Sequence, residues 1–241
     1  MSLTDPEVWI SFATLTLMEL ILGIDNIVFI TILTARVDAA RRTLARRLGL
    51  AAAMLSRVVL LAFIQQLTTL TEPLFDFWRP WSGRDIVLGL GGVFLLYKAT
   101  TEIFEAVERP AESHTTADVG GASQMGSILL QILVLDLVFS LDSVITAVGM
   151  AEHLPVMVAA ILISGVVMMF FAGPIGDFVQ DNPSVRLLAL AFLVLIGAML
   201  TMEATGQHVS KGYIYSAIAF SLVVQFLNLR RERRLEKQAK A

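Results

Sequence analysis

The feature that most constrains this chain is a series of long apolar stretches laid end to end with little polar sequence between them. Crossing the hydrocarbon layer of a bilayer, about 30 Å thick, takes roughly 20 mainly apolar residues as a helix. Seven runs approach or meet that length: roughly 8–33, 46–70, 85–101, 125–150, 154–178, 185–203 and 212–229. Of the 241 residues 56% are hydrophobic and 16% charged, against about a quarter charged in a soluble domain. Backbone polar groups in lipid must be satisfied within the segment, and runs of this length do so as helices. The expected fold is an all-α polytopic membrane protein with seven transmembrane helices, forming a single transmembrane domain over 1–241.

The first run is expected to remain in place as a helix. Its leader, MSLTDPEVW, is acidic rather than basic, and the run is too long for the apolar core of a signal peptide. Cysteine is absent, which excludes disulfides and thiolate metal sites. Charge distribution gives the orientation. Arg36, Arg41, Arg42, Arg46 and Arg47 cluster after the first run, and the tail 230–241 carries a second basic cluster. Basic residues in short loops stay cytoplasmic. An outside N-terminus and a cytoplasmic C-terminus put 14 of the 18 Lys and Arg on cytoplasmic segments or at cytoplasmic helix ends. The tail then reads as a topology anchor beside anionic lipid. The expected location is a bacterial-type inner (plasma) membrane. The polar segment 105–124, EAVERPAESHTTADVGGASQ, reads as a flexible cytoplasmic linker.

Internal self-similarity divides the chain in two. MELILGIDNIVFI (18–30) lies over LDLVFSLDSVITA (135–147), placing Glu19 on Asp136, Gly23 on Ser140, Asp25 on Asp142 and Asn26 on Ser143. AAAMLSRVVLLAF (51–63) lies over AAILISGVVMMFF (159–171), with Ser56 on Ser164 and Arg57 on Gly165. More weakly, Glu102 falls on Glu203. Three helices per copy is an odd number, so the second copy enters the bilayer from the other side. This predicts an inverted 3+3 repeat: repeat one about 8–104, repeat two about 125–207, and an extra helix about 212–229. Secondary transporters built this way bind near the midplane at the repeat interface.

Glu19, Asp25, Asp136 and Asp142 fall inside apolar runs. An ionised side chain at a helix centre costs about 2.5–3.5 kcal/mol even on the insertion scale, so four unpaired acids would cost on the order of 10 kcal/mol. They must be protonated, paired or bound to cations. Arg57 is the one basic residue at membrane depth, expected to face an acid of the opposite repeat, and Lys98 can reach in from a helix end. One or two cations do not neutralise four carboxylates. The surplus points to a cation site made of Glu19, Asp25, Asn26, Asp136, Asp142 and Ser143, supported by Gly23, Ser140, Arg57 and Lys98. Residues six apart on a regular helix point about 120° apart and rise about 9 Å. Either the helix unwinds at Gly23, and at Ser140 in the copy, or the acids are successive stations along a path.

All-oxygen ligands without Cys suit Mg²⁺, Ca²⁺ or Mn²⁺ better than Zn²⁺ or Cu. His114, His153 and His208 fall in loops or near helix ends. Met18, Met54 and Met168 could offer thioethers but are expected to pack as apolar residues. Gln131, Ser140 and Ser164 are expected to bond between helices. Pro174, between Gly173 and Gly176, is expected to kink the fifth helix.

ELILGIDNIVFI and DLVFSLDSVITAVGM resemble the paired signatures of the TerC/Alx family of membrane proteins, within the LysE-like transporter superfamily. The likeness continues through SGRDIVLGLGGVFLLYKATTE and VSKGYIYSAIAFS and covers nearly the whole chain. It is similar to the YoaE-like branch, whose larger members add a cytoplasmic CBS-pair module; no such module is expected here beyond the basic tail. The resemblance implies Mn²⁺ export or homeostasis, with tellurite resistance giving the family its name, and places the metal site on the acids and polar followers above. Tellurite itself is an oxyanion that four carboxylates would repel.

The leading expectation is thus a membrane transporter exporting Mn²⁺ or another hard divalent cation as its substrate, with proton coupling. No organic cofactor, no nucleic-acid partner and no enzymatic activity are expected, and oligomerisation is left open. Three other readings compete. One is a non-transporting membrane stress or tellurium-resistance factor with a structural cation. The second is a cationic amino-acid exporter, which needs a roomier cavity. The third is an intramembrane aspartyl hydrolase, in which two aspartates share a proton; the symmetric copies, each with its own partner acid, argue against it.

Overall fold

In the computed structural model, residues 5–35, 37–63, 69–108, 121–148, 154–207 and 209–239 are described. Their order is α1 (Pro6–Thr34), α2 (Ala39–Ala62), β1 (Pro73–Asp76), β2 (Pro80–Ser82), α3 (Gly83–Glu108), α4 (Gly121–Val148), α5 (Leu154–Asp181), α6 (Pro183–Ala204) and α7 (Lys211–Ala239). By length and composition α1, α3, α5, α6 and α7 can each cross a membrane, and α4 contributes a shorter apolar stretch, Met125–Leu141. All three His and most of the linker, 109–120, lie outside the described residues.

Two features differ from the sequence expectation. The basic segment after the first run is mostly helix rather than loop, because α2 already starts at Ala39; Ala, Leu and Arg are strong helix formers. The chain also contains a short antiparallel ribbon, with Phe75 opposite Trp81 and Asp76 opposite Pro80. Pro73 and Pro80 open its strands, a position where the missing N–H is tolerated. Phe75 stacks on Trp81 with centroids 6.4 Å apart, and Arg79 lies 4.5 Å over the Trp81 ring. The exposed Phe77 and Trp78 are aromatics of the kind that sit at membrane–water boundaries.

The ribbon leads directly into α3 through a capping box. The Ser82 N–H donates to Asp85 Oδ2 at 3.1 Å, and the Asp85 N–H donates to Ser82 Oγ at 3.2 Å, satisfying two end donors reciprocally. Arg79 pairs with Asp85 at 3.3 Å and donates to the Ala204 carbonyl at the end of α6. That end closes with Gly206 at φ 84°, where the N–H of Gly206 bonds Glu203 O and the N–H of Gln207 bonds Met202 O. This left-handed turn is open to glycine at no steric cost.

The bundle is organised in pairs. The most extensive pairing is α3 with α6, then α1 with α5, then α2 with α4; α1–α6 and α3–α4 are smaller contacts of equal extent. α3 and α6 run antiparallel, with Gly89 against Ala204, Gly92 against Thr201 and Leu96 against Gly197. α1 and α5 run parallel, since Gly23 meets Met168 and Thr31 meets the backbone at Gly176. Small residues permit this closeness, as is usual between helices in lipid. The main core is filled by Ile30, Leu33, Leu88, Leu95, Ile132 and Leu190 among others, drawn from six helices.

At the α3–α6 crossing the backbones touch. A Cβ on Gly92 would lie 2.8 Å from Gly197 O and 2.9 Å from Thr201 N, and backbone atoms cannot step aside. Gly92→Ala is therefore expected to destabilise by about 1–3 kcal/mol. Gly126→Ala, with nothing described within 4 Å of its Cβ, should stay within about 0.5 kcal/mol of the parent. Thermal melting of the two variants in one detergent checks this; equal melting would show that the crossing tolerates a methyl group.

Candidate functional site

The centre of the bundle holds a buried guanidinium between two carboxylates. Arg57, on α2, is 4% exposed, Glu19 on α1 6% and Asp136 on α4 4%. Arg57 Nη1 donates to Glu19 Oε2 at 2.5 Å and Nη2 donates to Asp136 Oδ1 at 3.1 Å. The planar fork of arginine suits this two-sided grip. Asp136 is the hub. Its Oδ1 also accepts from Asn26 Nδ2 at 3.3 Å, and its Oδ2 accepts from Ser56 Oγ at 2.6 Å and Ser140 Oγ at 3.2 Å. Charge-assisted bonds of this kind are about twice as strong as neutral ones.

Helix spacing accounts for the gathering. Ser140 sits one turn beyond Asp136 on α4, so their side chains meet on one face. Ser56 and Arg57 are neighbours on α2 and reach different oxygens of the same carboxylate. On α1, Glu19 and Asn26 are seven apart, two turns, which aligns them along one stripe. The stripe faces α2 and α4 at once.

Beside this network lies a small cavity of about 10 Å³, lined by Asn26, Met54, Arg57, Ile161, Gly165 and Met168 with Leu50 and Ala53. That is about the least volume that holds one water-sized particle. Arg57 and its repeat counterpart Gly165 both line it. A Cβ on Gly165 would collide with Met54 Sδ, so the glycine leaves room for that methionine.

The profile of TerC integral membrane proteins matches residues 4–240. This chain belongs to the TerC family. It is 51% identical over 233 residues to UPF0053 inner membrane protein YgdQ of Escherichia coli, covering 96% of this chain and 97% of the relative. A UPF0053 protein of Haemophilus influenzae is 52% identical over 232 residues, with coverage of 96% and 97%. UPF0053 inner membrane protein YoaE of Escherichia coli is 45% identical over 229 residues, which is 94% of this chain and 43% of that relative. No solved structure matches.

For this TerC-family chain, the structure brings Glu19, Asn26, Arg57, Asp136 and Ser140 together. The side chains of Asp25, Asp142 and Ser143 lie outside the described ones. Lys98 is elsewhere: its ammonium pairs with Glu102 at 3.3 Å, one turn on along α3. Gly23 does not break α1, which is helical from Pro6 to Thr34, and α4 is likewise continuous through Ser140. Met168 lies against the Gly23 notch, so the glycine accommodates a side chain rather than a bend. Gln131 and Ser164 bond within their own helices, to Ser127 Oγ and Ile161 O, instead of between helices. Among the described residues no group of three or more acids and His gathers as a metal-binding cluster.

Sequence reasoning missed two partners. Ser56 was visible only as a position in the repeat. Arg46 reads as a solvated topology charge, yet it is 5% exposed. Its Nη1 donates to Asp177 Oδ1 at 3.0 Å and to the carbonyls of Ala172 and Gly173 at 3.4 and 3.3 Å. Both carbonyls lie in the turn just before Pro174, where the helix ladder loses a donor, so Arg46 braces α5 at its weak turn.

Removing one partner of a buried ion pair costs about 3–5 kcal/mol because the other is left uncompensated. Arg57→Gln, which strands Glu19 and Asp136, is expected to lower the yield of monodisperse protein and its melting temperature. Adding Glu19→Gln and Asp136→Asn to Arg57→Gln should recover most of the loss. Size-exclusion and thermal-melting measurements decide; an Arg57→Gln protein as stable as the parent would mean the two carboxylates are already neutral.

Proposed function

We propose that this chain is a multi-pass transporter of the bacterial-type inner membrane that exports a hard divalent cation, Mn²⁺ foremost. Its site is divided between two inverted three-helix halves, related to the LysE-like transporters, with α7 added and the C-terminus cytoplasmic. The observation that carries the reading is the buried Arg57 bridging Glu19 and Asp136, one acid from each half. The helix pairing supports the inverted repeat. Exchanging α1 with α4, α2 with α5 and α3 with α6 turns α1–α5 into α4–α2 and α1–α6 into α4–α3, and leaves α3–α6 on itself. Each of these pairs is in contact, whereas the α1–α2 contact has no α4–α5 counterpart of similar extent. The names of YgdQ and YoaE, both inner membrane proteins, support the location.

Charge arithmetic suggests how such a site would work. Glu19, Asp25, Asp136 and Asp142 with Arg57 carry a net −3 when all are ionised. One divalent cation and one proton bring that to zero, which a low-dielectric interior favours strongly. Protons and metal compete for the same oxygens, and this competition is the basis of the proposed proton coupling. Arg57 acts as a resident cation that offsets one of the two charges on Glu19 and Asp136 while cargo is absent. Asn26 and Ser143 offer further neutral oxygens to a hard ion.

A second reading has its own support. Asp136 already accepts from four donors, as a purely structural carboxylate would, and this favours a non-transporting membrane stress or tellurium-resistance factor. Flux separates the two. Purified protein in liposomes is expected to pass Mn²⁺ in preference to Zn²⁺, with Mg²⁺ and Ca²⁺ as comparison ions. Asp25→Asn and Asp142→Asn should each reduce that flux by about tenfold or more while melting like the parent. Flux that is absent in the parent, or unchanged in both variants, overturns the transporter reading.

A further inference from the structure

A cavity lies away from the buried acids, where α7 leaves the apolar zone. It measures about 340 Å³, within the range of pockets that hold small molecules, on the order of 300–1,000 Å³. One end of its wall is apolar: Phe178 from α5, with Phe226 and Leu229 from α7. The other end carries Arg230, Arg233, Arg234 and Lys237, and among the described residues no carboxylate lines it. Asp177, the acid next to Phe178, is engaged by Arg46 at 3.0 Å.

The spacing makes this more than a basic tail. Positions 226, 229, 230, 233, 234 and 237 follow the three-and-four rhythm of one helix face, which turns toward α5. Arg231, Glu232 and Leu235 fall on the other side. Gln225 Nε2 donates to Ser184 Oγ at 2.6 Å, fixing α7 beside the start of α6 at this level. Only 6% of the apolar part of α7 is buried, so little else in the chain holds this helix.

We infer that the groove between α5 and α7 is a binding site for an anionic phospholipid. The phosphodiester headgroup would sit among Arg230, Arg233, Arg234 and Lys237, and an acyl chain would run along Phe178, Phe226 and Leu229 into the bilayer. Apolar wall and cationic rim stand in the order in which a lipid presents chain and phosphate. Basic pockets between transmembrane helices bind such headgroups. The lipid would also bridge α7 to α5, supplying contact that the protein itself lacks there.

The test titrates fluorescent phosphatidylglycerol or phosphatidylcholine into delipidated full-length protein in a non-ionic detergent. Phosphatidylglycerol should bind preferentially and raise the melting temperature. Each cation removed from the groove face should weaken it about fivefold, so that Arg230→Gln, Arg233→Gln and Lys237→Gln together weaken it on the order of 100-fold. Arg231→Gln, on the opposite face, should bind as the parent does. Phe178→Ala keeps every charge and should still lower affinity, a change that diffuse attraction to a basic tail would not produce. The proposal fails if both lipids bind alike, if Arg231→Gln weakens binding as much as Arg230→Gln, or if Phe178→Ala leaves affinity unchanged.

Discussion

Everything at the centre of this protein depends on one cation being held by two anions that come from different halves of the chain. Arg57 cannot be left alone at that depth, and neither can Glu19 or Asp136. The bundle therefore closes only when α1, α2 and α4 converge. An apolar contact tolerates sliding, because a neighbouring methyl group is nearly as good as the intended one. A forked pair of ion contacts does not, and Asp136, with its four donors, fixes the register of three helices at once.

The outer pairs solve a different problem. In lipid the hydrophobic effect does not press helices together, so contact must come from close approach. α3 and α6 achieve it at Gly92 and Gly197, where backbone meets backbone. Each end of this pair also has an ion pair, Arg84 with Glu203 and Arg186 with Glu102, both at 3.9 Å. α1 and α5 approach through the Gly23 notch and the Met168 side chain. A thioether is flexible enough to fill such a notch without a unique shape, so α1 keeps an unbroken hydrogen-bond ladder through its polar stretch.

Much of this was legible in the residues because lipid imposes a severe rule. Apolar runs of bilayer length stand out, and so do acids within them; the doubled Glu19–Asp25 and Asp136–Asp142 motif needed no coordinates. The ribbon was harder to see, since PLFDFWRPWS mixes turn formers with aromatics and too few residues to show an alternation. Arg46 was opaque for a physical reason. Its partner Asp177 and the carbonyls beside Pro174 lie on another helix, and a guanidinium in a basic cluster looks solvated until that helix is in place. Gly23 was ambiguous for the same cause: a missing Cβ permits either a bend or a neighbour, and only packing decides.

The arginines after α1 carry two kinds of information in the same atoms. Arg42 donates to Gln180 at 2.8 Å and to the carbonyls of Ala35 and Val37 at 3.2 and 3.5 Å, tying the α1–α2 turn to α5, while Arg46 braces α5 one turn further along. Their charge also belongs to the cluster that biases which side of the membrane this turn occupies. Orientation and assembly are thus encoded together, and neutralising these side chains to invert the chain would at the same time unfasten the joint between its first and fifth helices.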